Sequence, residues 1–162
     1  MEKRAIALLA AAAVLALIAA GCGGSDEGTT DTSTTPALTK AEFIKQANEI
    51  CGRTNKQFED EFERFAEKEA TSQSQQLNRS QLRKAAETLF IPIIGQQLEE
   101  IRALGAPQGD EQQVDKILSS AEKALEEARQ DPTVLFVEDA GPFVEANKLA
   151  TAYGLDKCGD EN

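Results

Sequence analysis

Thr39-Lys40-Ala41-Glu42-Phe43-Ile44-Lys45-Gln46-Ala47-Asn48-Glu49-Ile50-Cys51 is the stretch from which the fold is read. Thr39 and Glu42 stand three apart as a capping box, in which the threonine oxygen accepts from the Glu42 amide while the Glu42 carboxylate reaches back. Behind that cap Phe43, Ile44, Ala47, Ile50 and Cys51 recur at intervals of three and four, and Phe58, Phe62 and Phe65 keep the rhythm. The pattern predicts one amphipathic helix running to about Ala70. It also sets Cys51 on the apolar stripe beside Ile44, Ala47 and Phe58, so the thiol should face a core and its partner must come to it there.

The opposite face carries Glu59, Asp60, Glu61, Glu63, Glu67 and Glu69, with Arg64 and Lys68 as the only basic residues among them. Such a run suits a hard cation or a basic partner, but equally a solvated helix face. No Asp-x-Asp-x-Asp-Gly loop accompanies it, and the reading adopted is solvation, with no metal site and no cofactor expected. Residues 71–77 are polar and break the helix. Asn78, with Gln81 three residues on, reads as the cap of a second helix. That helix bears Leu82, Ala85, Ala86, Leu89, Phe90, Ile93, Ile94, Leu98, Ile101 and Leu104. Pro92 interrupts it and removes one backbone bond, which predicts a kink or break between Phe90 and Pro92.

Gly105-Ala106-Pro107 closes the second helix. The third carries Val114, Ile117, Leu118, Ala121, Leu125 and Ala128. Asp131-Pro132 then reads as the cap and first turn of a short helix through Phe136, and Gly141-Pro142 as the restart of a last one ending at Gly154, with Leu155 as the apolar residue after a left-handed cap. Three long helices, a broken fourth and no strand-period segment predict an all-α, antiparallel up-down-up-down bundle. In that topology the fourth segment descends beside the first helix and returns the chain's end to the neighbourhood of Cys51.

Ahead of the bundle lies a segment of a different kind. Lys3 and Arg4 precede an apolar run over residues 5–20, which is shorter than the roughly 20 residues a membrane-spanning helix needs, and small residues follow it. These are the parts of an export signal. Ala19-Ala20-Gly21-Cys22 resembles the lipobox of bacterial lipoproteins, although Ala19 stands where most carry leucine. The resemblance implies cleavage before Cys22, a diacylglycerol on its thiol, and residence at the outer face of the cytoplasmic membrane. Multiple acyl chains hold a protein durably on a bilayer. The organisation expected is therefore a signal peptide over 1–21, a flexible tether over 22–38 and a helical domain over 39–162. The Gly/Ser/Thr-rich tether has no large apolar residue with which to order itself before Leu38, and would span about 20 Å as a coil.

Composition narrows function. The chain carries a formal net charge of −11, and loss of the leader, with Lys3 and Arg4 against Glu2, takes it near −12. That opposes nucleic-acid binding, which needs a cationic footprint, and a polybasic grip on lipid. There is no His, no Trp, and the single Met is Met1. Beyond the leader neither imidazole nor thioether is available to a transition metal.

If Cys22 carries lipid, Cys51 and Cys158 remain as an even pair in an exported protein and are expected to form a disulfide. Two buried free thiols are the alternative. The runs at residues 38–44, Ala47-Asn48-Glu49-Ile50-Cys51 and Ala152-Tyr153-Gly154-Leu155-Asp156-Lys157-Cys158-Gly159 resemble small helical envelope lipoproteins and secreted proteins of actinobacteria. That resemblance supports the helical fold and the disulfide and implies no activity.

Three functions are consistent with these residues. The first is a non-catalytic binding or scaffolding module held on the membrane through Cys22. The second is a small-molecule carrier with an apolar pocket between Ile91 and Ile94, beside the helix-breaking Pro92. The third and least supported is a hydrolase working without histidine, for which no Ser-x-x-Lys or Gly-x-Ser-x-Gly stands in the chain. The expectation is not an enzyme, with ligand and protein partner undefined.

Overall fold

A computed structural model describes residues 37–69, 77–137 and 141–159; Cys22, the leader and most of the tether lie outside these. Among the described residues every regular element is helical. Helix α1 (Lys40–Glu69) starts on the capping box its sequence predicts. The Thr39 amide donates to Glu42 Oε2 at 2.9 Å and the Glu42 amide donates to Thr39 Oγ1 at 3.3 Å. Leu38, one residue before the cap, already packs against the core. Phe43, Ala47, Ile50 and Cys51 are buried, whereas Phe58, Phe62 and Phe65 are half-buried.

Asn78 caps α2 (Arg79–Ala85), its side-chain oxygen accepting from the Ser80 and Gln81 amides at 2.9 and 3.1 Å. Gln81 completes the box and donates to the Glu69 carbonyl at 2.7 Å, tying the start of α2 to the end of α1. From α2 the chain passes through a wide π turn (Ala86–Phe90) into α3 (Ile91–Ala103). This irregular turn falls where the sequence places a kink or break, between Phe90 and Pro92. The Ile91 amide bonds the Ala86 carbonyl five residues back, and Phe90 and Ile91 keep helical dihedrals of φ −61°, ψ −54° and φ −61°, ψ −46°. Widening the turn makes room for the proline ring against the preceding carbonyls without ending the helical path.

Helix α4 (Glu111–Gln130) buries Val114, Ile117, Leu118, Ala121, Ala124, Leu125 and Ala128 at three-four spacing. The Asp131 carboxylate accepts from the Thr133 amide at 3.0 Å and caps a 3-10 turn (Pro132–Phe136). Helix α5 (Val144–Tyr153) follows and ends at Gly154, whose φ of +104° is the left-handed cap expected. The Leu155 amide reaches back to the Ala150 carbonyl at 2.9 Å, and Leu155 is buried.

Contacts along the helices give their mutual order. Arg53 of α1 pairs with Glu100 of α3, while the rings of Phe58 and Phe62 meet Phe90, earlier in the second helical path. Arg102 pairs with Glu122, and Arg83 lies 3.6 Å from Asp131 at the far end of α4. Tyr153, at the end of α5, returns to the Asp110 that precedes α4, and its ring meets Phe43 edge-on at 6.1 Å.

Beyond Tyr153 the chain turns at Gly154 into the short helix α6 (Asp156–Gly159). Asn48 pins the turn by donating to the Gly154 carbonyl and accepting from the Lys157 amide, both at 2.9 Å. Cys158 is thereby carried back along α1 to Cys51, with Cα atoms 5.1 Å apart and sulfurs bonded at 2.06 Å.

Candidate functional site

The helices do not fill the space between them. A cavity of about 460 Å³ opens among α3, α4, α5 and the 3-10 turn. Its deep wall contains Ala121 of α4 and Ala146 and Ala150 of α5, all buried. Three side chains of one carbon leave a gap where larger residues would interdigitate, which is the local origin of the space. Leu98 and Ile101 of α3 and Ile117 and Leu118 of α4 supply the rest of the apolar floor.

Phe90 and Ile94 form the side wall. Phe90 is held there by an aromatic cluster, with Phe62 at 5.8 Å and Phe136 at 5.4 Å between ring centroids, both edge-on, and Phe58 closer still. The mouth is lined by Leu135, Val137, Phe143 and Val144. Val137 and Val144 are the two large apolar side chains most open to solvent among the described residues, at 49 % and 43 %. An apolar rim on an apolar cavity is what a site for an apolar ligand requires.

Polar groups on the lining are few and neutral: Asn55, Gln97 and Asn147, with Cys158 beside them. Gln97 Nε2 donates to Cys51 Sγ at 2.9 Å and Asn55 Nδ2 donates to the Lys157 carbonyl at 3.0 Å. Among the described residues no ionisable side chain lines the cavity.

The titratable groups with clear perturbation lie elsewhere. Tyr153 donates to Asp110 Oδ2 at 2.8 Å, and Lys40 Nζ sits 3.3 Å from the same oxygen and 4.1 Å from the Tyr153 ring centre. Burial, reinforced by the neighbouring Asp110, pushes the phenol well above its ordinary pKa of 10. The Tyr153 hydrogen bond, helped by Lys40, holds Asp110 below the usual aspartate value against the opposing effect of burial. The cluster ties three chain segments together and is not part of the cavity wall. A buried phenol kept neutral and already donating to a carboxylate serves packing and pairing.

Of the residues the sequence singled out, Cys51 and Cys158 are joined and Cys158 lines the cavity; Ile94 lines it, while Ile91 and Ile93 do not. Along the acidic face of α1 the carboxylates take separate partners: Asp60 with Lys56 at 3.4 Å, Glu61 with Gln57 at 2.9 Å and Glu69 with Lys84 at 2.7 Å. Among the described residues no group of three or more His, Cys, Asp or Glu side chains could hold a metal ion. Sequence reasoning did not find Asn55, Gln97, Asn147 or the Val137 and Val144 rim. The usable signal was the Ala146 and Ala150 pair, four apart on the last helix. Comparison with protein-family models, curated proteins and solved structures found no match to this chain.

Proposed function

We propose that this protein is a non-catalytic small-molecule binding module, lipid-anchored through Cys22 at the outer face of the bacterial cytoplasmic membrane. In this reading the segment over 22–38 is a tether and the helices form an antiparallel up-down-up-down bundle, supported by the order in which α1, α3, α4 and α5 meet. The observation that carries the binding role is the cavity of about 460 Å³, with an apolar floor, Phe90 and Ile94 on its wall and an apolar rim. Its size falls within the roughly 300–1,000 Å³ of small-molecule sites. Among the described residues no helix is long and apolar enough to cross a membrane, so in this reading attachment rests on the acyl group.

A scaffolding role for the same anchored module has less behind it. Val137 and Val144 are the exposed apolar residues available to a protein partner, and two such side chains are too little surface for a stable interface.

The test is titration of the full chain carrying Cys22→Ser with an environment-sensitive apolar fluorophore. Saturable binding at one site, lost when Ile94→Trp fills the side wall, is the expected result. A wild-type response that is absent or unchanged by Ile94→Trp would remove the cavity from the functional account.

A further inference from the structure

The cavity has an apolar body and few polar groups, and their chemistry defines a ligand class; the inference deepens the proposed binding function and rests on it. Asn55 and Gln97 use their amino groups on the Lys157 carbonyl and Cys51 Sγ. Asn147 is on the same lining. Three neutral amides thus share an otherwise apolar lining with Cys158. Each amino group has a second N–H and each side-chain carbonyl can accept, so these amides suit a group that both donates and accepts.

Charge on a ligand is disfavoured from both directions. Among the described residues a carboxylate or phosphate entering the cavity would meet no cationic side chain, inside a chain of net charge −11. Among the same residues an ammonium group would meet no carboxylate on the lining and would exchange its water for neutral groups, a costly transfer. We infer that the cavity takes an uncharged molecule with an apolar body and a single hydroxyl, which donates and accepts, met by the side-chain amides of Asn55, Gln97 and Asn147. A neutral long-chain or aromatic alcohol is the simplest member of that class.

The experiment uses the full chain with Cys22→Ser, which removes the acylation site and any acyl chain that would compete. Decanol, decanoate and decyltrimethylammonium share a chain length and differ in the charge of the end group. Each is titrated, below its aggregation limit, against the bound fluorophore. Decanol should displace the fluorophore at least about tenfold more effectively than either ion, and Asn147→Leu should weaken decanol about three- to tenfold, the loss of one hydrogen bond, with the fluorophore's own affinity measured in the same variant and corrected for. Displacement by either ion as good as that by decanol would overturn the ligand class and leave the binding function standing, as would decanol binding indifferent to Asn147→Leu. A fluorophore that never binds overturns both.

Discussion

The Tyr153 hydroxyl donates to Asp110 Oδ2 at 2.8 Å, fastening the last residue of α5 to the residue before α4. Two opposite pH dependences arise from this one contact. Asp110 is depressed in the folded state, so its contribution to stability is present above the ordinary aspartate value of 3.8 and is lost as pH falls below it toward the folded pKa. Tyr153 is raised, so its contribution is present below the ordinary tyrosine value of 10 and is lost as pH rises above it. Tyr153→Phe keeps the ring against Phe43 and beneath Lys40 but should flatten both limbs of the profile, read by thermal unfolding across pH. Tyr153 is the only tyrosine and there is no tryptophan. Phenolate absorbance therefore reports this residue alone, and ionisation near pH 10 in the folded protein would contradict the assignment.

Glycines in two settings should respond to alanine with opposite sign. Gly154 has φ +104°, and a Cβ there would sit 3.2 Å from Ile44 Cδ1. Gly154→Ala is expected to cost about 1–3 kcal/mol through backbone strain and crowding. Gly52 lies inside α1, where a Cβ would meet nothing within 4 Å. Gly52→Ala should stabilise by about 0.5–1 kcal/mol, by lowering the entropy of the unfolded chain and raising helix propensity. Denaturant midpoints of the two variants check the contrast.

Linking residues 107 apart, the Cys51–Cys158 disulfide constrains most of the described chain. In the chain-entropy account that constraint stabilises by at most about 4–5 kcal/mol. Cys51→Ala with Cys158→Ala should lower the melting temperature markedly, and a reductant should do the same to the wild type but not to the double variant. Because Cys158 also lines the cavity, the double variant should bind the apolar fluorophore more weakly even where it remains folded. Equal melting temperatures would show that the Asn48 and Asn55 contacts to α6 hold that segment without the bond.

The helix boundaries were legible because their causes are local. Thr39 with Glu42, Asn78 with Gln81, Asp131 with Pro132 and Gly154 with Leu155 each satisfy backbone groups within a few residues. Pro92 marked the place of an irregularity but not its form: the chain shifts to a bond five back at Ala86. Gly154 announced the end of α5 but not the path after it, which depends on Asn48, more than a hundred positions away. The cavity was least legible. The sequence placed Ala121 on the core face of α4, but a gap depends on small residues from two helices sharing one layer.

The proposed acylation of Cys22 makes a prediction that the folded domain alone does not. Of three cysteines, two are joined, so the state of the third decides the free-thiol content of the whole protein. Denatured without reductant, the protein from its native envelope should show no titratable thiol, because Cys22 is a thioether. It should leave the membrane fraction only with detergent. Cys22→Ser should shift it to the soluble fraction, since a chain of net charge −11 has no basic patch with which to hold anionic lipid. Retention on the membrane after washing of Cys22→Ser from which the leader has been removed, or one free thiol per wild-type chain, would refute lipid attachment while leaving the disulfide, the cavity and its ligand chemistry unaffected.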